Sequence, residues 1–295
     1  SFDLPRCLAL DSAGNVYVTG ESSSVNSSDC LTLKYSSGGA LLWTARYNGA
    51  ASSNDGGNSV AVDNSGNVYV AGRTTVSGPE DMLVLKYSAA GVQQWVNAYN
   101  GTGNGFDEAN SVVLDNSGNA YIVGYIKADT SQNDIITLKY NSAGSLNWIK
   151  SYNGVSNGND YGTGILVDAS NNVVVTGHIT GSIGATSDIV TIKYSPSGEQ
   201  LWAATFNGPE QGNDGGIGII TDAENNVYIT GYCAGKEESV DIYTIKYNTS
   251  DGSKIWTAVF NNPIKDVDYP TAIAIDGDNN IYVTGYSHYT SAGND

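Results

Sequence analysis

Apolar residues along this chain alternate with polar or small ones in short runs, and the runs come in groups of four. In one group they are SVAVD from Ser59, NVYVAG from Asn67, DMLVLKY from Asp81 and VQQWVNAY from Val92. Val, Ile, Leu, Tyr and Thr with a two-residue period predict β-strands. Turn residues separate the runs: Asp63-Asn64-Ser65-Gly66-Asn67 after the first, Ser88-Ala89-Ala90-Gly91 before the last. Gly there supplies the positive φ of a tight hairpin, and Asp or Asn bonds the turn backbone. No stretch of useful length has a helical period.

The group recurs every 52 to 54 residues. Its core reads LALDSAGNVYVTG from Leu8, VAVDNSGNVYVAG from Val60, VVLDNSGNAYIVG from Val112, ILVDASNNVVVTG from Ile165, IITDAENNVYITG from Ile219 and IAIDGDNNIYVTG from Ile273. Four antiparallel strands at such a period predict the blade of a propeller. The expectation is one all-β domain over 1–295, a β-propeller of about six blades. We letter the strands A to D from the channel outward. The repeats span approximately 1–49, 50–101, 102–154, 155–208, 209–262 and 263–295. The sixth is expected to lack its two outer strands, which would leave Asn280, Ile281, Tyr282, Val283, Thr284, Gly285 and Tyr286 as an open edge that templates pairing. Three readings stay open: a piece of a longer protein, completion by a neighbouring chain, or a short blade. The lack of an initiator Met, with Met82 the only Met, fits a processed or partial chain.

Trp43, Trp95, Trp148, Trp202 and Trp256 occupy one position of strand D, and they are all the Trp present. A ring at a fixed repeat position predicts blade-to-blade packing. Tyr17, Tyr69, Tyr121, Tyr228 and Tyr282 in strand B read the same way. Val174 replaces the ring in the fourth copy, so bulk is expected to matter there and the hydroxyl not.

On the D-x-x-G-N-V-Y-V-T-G core, the D-I-V-T-I-K-Y strand and the G-x-x-x-W strand, the chain resembles the bacterial SBBP (seven-bladed β-propeller) repeat family. The resemblance covers nearly the whole chain. It implies a propeller of the secreted or surface-exposed kind, usually without assigned activity. The family label says seven blades, and this chain does not show seven.

The net charge of −17 follows from the repeat. Three Asp positions recur in all six copies, before strand A (Asp55, Asp107), after it (Asp63, Asp115) and at the start of strand C (Asp81, Asp134). They account for eighteen of the thirty acidic residues. The charge argues against nucleic acid and anionic membrane as partners. Asp276-Gly277-Asp278-Asn279-Asn280 alternates oxygen side chains, but the other copies lack the alternation and the distal Glu of a calcium hand. The Asp after strand A is expected to cap its own turn. No cofactor is expected, with Ca²⁺ as the minor alternative. Cys7, Cys30 and Cys233 lie at unequal repeat positions and form no disulfide framework. No transmembrane run is present.

Connections D-to-A and B-to-C share one rim, and only this rim varies between copies. Unequal loops on a fixed scaffold carry specificity. The richest stretch is Phe106, Glu108, Tyr125, Tyr161, His178, Tyr232, Glu237, Tyr269, Tyr286, His288 and Tyr289, where aromatic rings beside carboxylates suit a glycan or peptide. No G-x-S-x-G, zinc spacing or phosphate loop appears, and the two His stand in no motif. The expected function is a secreted or cell-surface binding or scaffold module with a protein or glycan ligand. The alternatives are a self-assembling extracellular subunit and, behind it, a polysaccharide lyase or hydrolase.

Overall fold

Because side chains alternate across a strand, one ribbon can bury both faces only if it lies between two others. The repeats use this rule. The computed structural model describes residues 2–23, 27–50, 53–129, 132–181, 186–235, 239–262, 267–289 and 293–294. Among the described residues there are strands and no helix.

Two compact units divide the chain, Ser1–Tyr152 and Asn153–Asp295. In the first, blade one contains β1 (Asp3–Leu10), β2 (Val16–Ser23), β3 (Ser28–Tyr35) and β4 (Leu41–Tyr47). Blade two contains β5 (Gly56–Val62), β6 (Val68–Thr74), β7 (Asp81–Tyr87) and β8 (Gln93–Tyr99). Blade three contains β9 (Glu108–Leu114), β10 (Ala120–Lys127), β11 (Asn133–Tyr140) and β12 (Leu146–Tyr152). In the second, blade four contains β13 (Tyr161–Val167), β14 (Val173–Thr180), β15 (Ser187–Tyr194) and β16 (Gln200–Phe206). Blade five contains β17 (Gly215–Thr221), β18 (Val227–Ala234), β19 (Val240–Tyr247) and β20 (Lys254–Phe260), and blade six β21 (Asp268–Ile275), β22 (Ile281–Tyr289) and β23 (Gly293–Asn294). Each blade is an antiparallel sheet in chain order. Blade six has its two inner strands and lacks full outer ones among the described residues, as expected; β23 adds only a two-residue pairing of Gly293 and Asn294 with Tyr289 and His288.

Blade two shows the packing rule. Val68 and Val70 face a cluster with Tyr17 and Cys30 of blade one. Their neighbours Tyr69 and Ala71 face Val112, Ile122 and Ile136 of blade three. All are fully or nearly fully buried, each aliphatic side chain contributing roughly 1.5–3 kcal/mol. In the second unit Val174, Ile189 and Trp202 of blade four pack on Val227, Ile229 and Ile245 of blade five.

The Trp position joins blades, as its spacing predicts. Trp43 Nε1 donates to Ala89 O at 3.1 Å, Trp95 Nε1 to Ser142 O at 3.3 Å and Trp202 Nε1 to Thr249 O at 3.0 Å. Each acceptor lies in the C-to-D turn of the next blade. Gly252 of that turn has φ +70°, and a Cβ there would stand 2.6 Å from the Trp202 ring.

The Asp after strand A caps its turn as expected. Asp63 Oδ1 accepts from Ser65 N and Asn67 N, both at 2.9 Å, and Oδ2 from Asn67 Nδ2 at 2.8 Å. The reading of the Tyr position needs correction, because its hydroxyl has work. Tyr17, Tyr121, Tyr228 and Tyr282 donate to the equivalent carboxylates Asp11, Asp115, Asp222 and Asp276 at 3.0, 3.1, 3.1 and 2.9 Å, and Tyr69 donates to Gly118 O at 3.0 Å. Where Val174 removes the hydroxyl, Lys193 Nζ reaches Asp168 Oδ2 at 2.8 Å. In blades one and two the equivalent Lys lies over the Tyr ring, Lys34 over Tyr17 and Lys86 over Tyr69 at 4.9 and 4.8 Å, a cation–π contact, and in blade five Lys246 does both, over Tyr228 at 4.8 Å and on Asp222 Oδ2 at 3.0 Å.

The Asp before strand A is a staple. Asp214 Oδ2 accepts from Gly208 N at 2.5 Å and Oδ1 from Ala234 N at 3.0 Å. Asp160 takes Gly154 N and Thr180 N in the same way, at 2.5 and 2.8 Å. The carboxylate closes its own D-to-A loop and pins it to the end of strand B. All three Cys are free.

Trp202→Ala should lower stability by about 3–5 kcal/mol, read as a shift in the urea unfolding midpoint. Burial raises the Asp222 pKa, but Asn226, Lys246 and Tyr228 together outweigh it and hold the carboxyl below its usual range. Its contribution is therefore present above the unfolded value near 4 and lost as pH falls through the lower folded value. Asp222→Asn should cost about 2 kcal/mol at pH 7, and the gap to the parent protein should close as pH drops below 4.

Candidate functional site

The last residues of strand B lie opposite the first of strand A. This register pairs Leu4 with Glu21, Gly56 with Arg73, Glu108 with Tyr125, Tyr161 with His178, Gly215 with Tyr232 and Tyr269 with Tyr286. The variable rim predicted from the loops is thus built on equivalent cross-strand pairs. The two units fill these positions with different chemistry.

In Ser1–Tyr152 the pairs form an ionic hub. Arg73, mostly buried, meets Glu21 at 2.8 Å, Glu108 at 3.0 Å and Glu80 at 3.3 Å. Its three partners come from blades one, three and two. Arg6 adds a contact to Glu21 at 3.2 Å. Glu108 also accepts from Asn58 Nδ2 at 2.8 Å and from the Tyr125 hydroxyl at 3.0 Å. Burial opposes the Arg73 charge, but Glu80, Glu21 and Glu108 outweigh it and raise its pKa. Burial also lifts the Glu80 carboxyl above its usual range, against the pull of Arg73. Phe106 takes no part in the ion pairs and is exposed beside a cleft that Pro79 and the hub's Glu80 also line.

In Asn153–Asp295 the same positions are aromatic. Tyr161 packs on His178 with ring centroids 5.0 Å apart. Burial holds the His178 imidazole below its usual range, so it is neutral at pH 7. Tyr232, Tyr269 and Tyr286 form a stack, with centroids 4.8 Å apart at 25° and 5.7 Å apart at 19°. Burial, then the neighbouring Tyr232, pushes the Tyr269 hydroxyl up to about 12. Gly215 makes the stack possible, because a Cβ there would lie 2.7 Å from the Tyr232 ring. The inner rings cover one another, so the stack presents edges, neutral hydroxyls and Tyr286, which is 40% exposed.

Glu237 lies outside the described residues, as do the side chains of His288 and Tyr289. Of the predicted edge, Asn280 is committed to the turn through Asp276, at 2.9 and 2.8 Å. Ile281, Tyr282, Val283, Thr284, Gly285 and Tyr286 pair with β21. Val283 and Tyr286 also line an apolar groove of about 480 Å³ with Ile242, Val259 and Phe260 of blade five.

Sequence reasoning missed Arg73, Glu21, Glu80, Asn58 and Arg6. The signal was present, because Glu21 and Arg73 stand at the repeat position of Tyr125, His178, Tyr232 and Tyr286. They are charged where the other copies are aromatic, so residue type did not group them with the rest. Among the described residues no hydrogen bond or ion pair orients His178, whose ring packs on Tyr161.

Residues 43–79 and 255–289 match the model of the SBBP family, described as a beta-propeller repeat. The first match runs from strand D of blade one to beyond strand B of blade two, and the second from strand D of blade five to the last residue of strand B of blade six, so these two segments are similar to an SBBP-type repeat. Over 396 residues the chain is 24% identical to the uncharacterized WD repeat-containing protein L264 of Acanthamoeba polyphaga mimivirus. That alignment takes in 96% of this chain, which spans only 28% of the viral protein. Sqt1 from Chaetomium thermophilum has a similar fold, with a TM-score of 0.60, 8% identity and coverage of 97% of this chain and 66% of that one. So does PorZ, a surface component of the type-IX secretion system of Porphyromonas gingivalis, with a TM-score of 0.57, 12% identity and coverage of 94% and 38%. Both are likenesses of fold. Among the described residues no helix is long and apolar enough to cross a membrane.

Arg73→Ala leaves three carboxylates facing one another and should cost about 3 kcal/mol. Adding Glu108→Gln should recover part of the loss. Urea unfolding of the single and double variants checks both.

Proposed function

We propose that these SBBP-type propeller repeats form a secreted or cell-surface binding module that holds a glycan on the aromatic rim of Asn153–Asp295. The observation that carries this reading is the Tyr232–Tyr269–Tyr286 stack. Neutral phenols donate and accept at once, which suits sugar hydroxyls, and the open Tyr286 face suits the C–H face of a pyranose. A peptide ligand would use the same groups less fully. The ionic hub of Ser1–Tyr152 supports a scaffold role, since its charges satisfy one another. An enzyme would need a base and an orienting partner, and nothing at His178 favours that reading.

A glycan array that also carries peptides tests the proposal. We expect glycan hits that weaken at least tenfold in Tyr286→Ala while the circular dichroism spectrum is unchanged. Hits that survive Tyr286→Ala and Tyr269→Ala, or hits confined to peptides, would overturn it. Self-assembly is the second reading, favoured by the apolar groove beside β22. It requires a mass that rises with concentration in sedimentation, and a monomer at high concentration excludes it.

A further inference from the structure

Asp241, two residues into β19, is 6% exposed. Its Oδ2 accepts from Asn261 Nδ2 at 3.2 Å. Its Oδ1 is buried and has no hydrogen-bond partner, as is true of Asp29 and Asp188 at the same repeat position. Among the described residues no cationic side chain pairs with it. A buried, half-satisfied carboxylate without a counter-charge is costly, and native structures rarely leave one unexplained.

The carboxylate lines a cavity of about 340 Å³ together with Glu210, Ser239, Asn261, Tyr243 and the backbone of Gly235. Gly235 keeps the approach open: a Cβ there would lie 2.9 Å from both Asp241 oxygens and 2.3 Å from Ser239 Oγ. The field is strongly negative. Burial is the largest influence raising the Asp241 pKa, the charges of Asp268 and Glu210 add to it, and side-chain hydrogen bonding from Asn261 and Ser239 opposes it. Asp268 itself is spoken for by Asn262 N at 2.7 Å and Ser287 Oγ at 2.5 Å.

The repeat supplies an internal comparison. Asp29 is the equivalent residue of blade one, and Arg46 Nη1 meets its Oδ2 at 2.7 Å. Arg46 lies opposite Leu31 on β4. The same register places Val259 opposite Tyr243 on β20. Blade one therefore carries its counter-charge covalently, and blade five has Val where that charge would be attached.

We propose that the cavity at Asp241 is a binding site for one hard divalent cation, Ca²⁺ by its chemistry. The side chains around it offer carboxylate, hydroxyl and amide oxygens. Oxygen-only donors with room for water suit Ca²⁺, whereas Zn²⁺ favours imidazole or thiolate. Burial holds the nearby Cys233 thiol far above its usual range, so it offers no thiolate. The site is independent of the glycan reading, which concerns the tyrosine stack.

Terbium luminescence tests it on the whole chain, because Tyr243 in the cavity wall can sensitise a bound Tb³⁺. We expect one saturable site, displaced by CaCl₂. Asp241→Asn should weaken Tb³⁺ binding at least tenfold. Tyr243→Phe should dim the signal with the affinity unchanged. Val259→Arg, which copies the blade-one arrangement and keeps the carboxylate, should abolish binding. CaCl₂ should raise the thermal unfolding midpoint of the parent protein and not of Asp241→Asn. If Asp241→Asn fails to fold, Val259→Arg decides. No saturable Ca²⁺-displaceable signal, or equal affinity in either variant, overturns the proposal.

Discussion

Each sheet of this protein leads to the next through a loop whose backbone has no strand to pair with, and a buried aspartate supplies the missing partner. Asp214 takes one N–H from the end of the preceding strand and another from the end of β18. Asp160 and Asp268 hold their loops in the same manner. The bond is charge-assisted and shielded from water, which makes it strong. It also carries a cost, since burial pushes the Asp214 and Asp107 carboxyls above their usual range against the backbone donors that hold them down. Because the staple grips the residue two places beyond Tyr232, it also fixes where Tyr232 stands. The same holds for His178, whose neighbour Thr180 is gripped by Asp160. Rim geometry is inherited from loop closure.

One backbone frame then carries two unlike rims. In the first unit the cross-strand positions hold Glu21, Arg73 and Glu108, which satisfy one another. In the second they hold Tyr161, His178, Tyr232, Tyr269 and Tyr286. The first set is closed by its own ion pairs and the second by ring stacking. The contrast is one of chemistry, with no change in strand register.

What could be read from the sequence was what repeats at short range. The four strands of a blade, the turn-capping Asp63 and the blade-joining Trp202 all follow from period and residue type. The ionic hub did not, because Arg73 draws on Glu21 and Glu108, 52 and 35 residues away. Periodicity marks such positions as equivalent without saying which of them touch. The tyrosine stack was half legible. Its members were named, but their mutual contact depends on Gly215, which looks in the sequence like one more turn glycine. The role of the Tyr228 hydroxyl was misread because Val174 was taken alone. Lys193, which reaches the turn carboxylate there, stands 19 positions further on, at a place blades one to five all fill with lysine.

That exchange at blade four bears on how such repeats can be recombined. With Val174 in place of the ring, Lys193 is left with the turn carboxylate alone, whereas Lys86 lies across Tyr69 and Lys246 holds both ring and carboxylate. A chimera that took β14 from this blade and β15 from another would keep a lysine at that place, and would still depend on the graft letting it extend to Asp168. Its amine also bonds Thr249 in the adjoining blade, at 3.3 Å to the carbonyl and 2.5 Å to the hydroxyl. The smallest interchangeable part of this protein is therefore larger than a hairpin. It includes the seam to the following repeat, and blades that look alike on paper are not spare parts for one another.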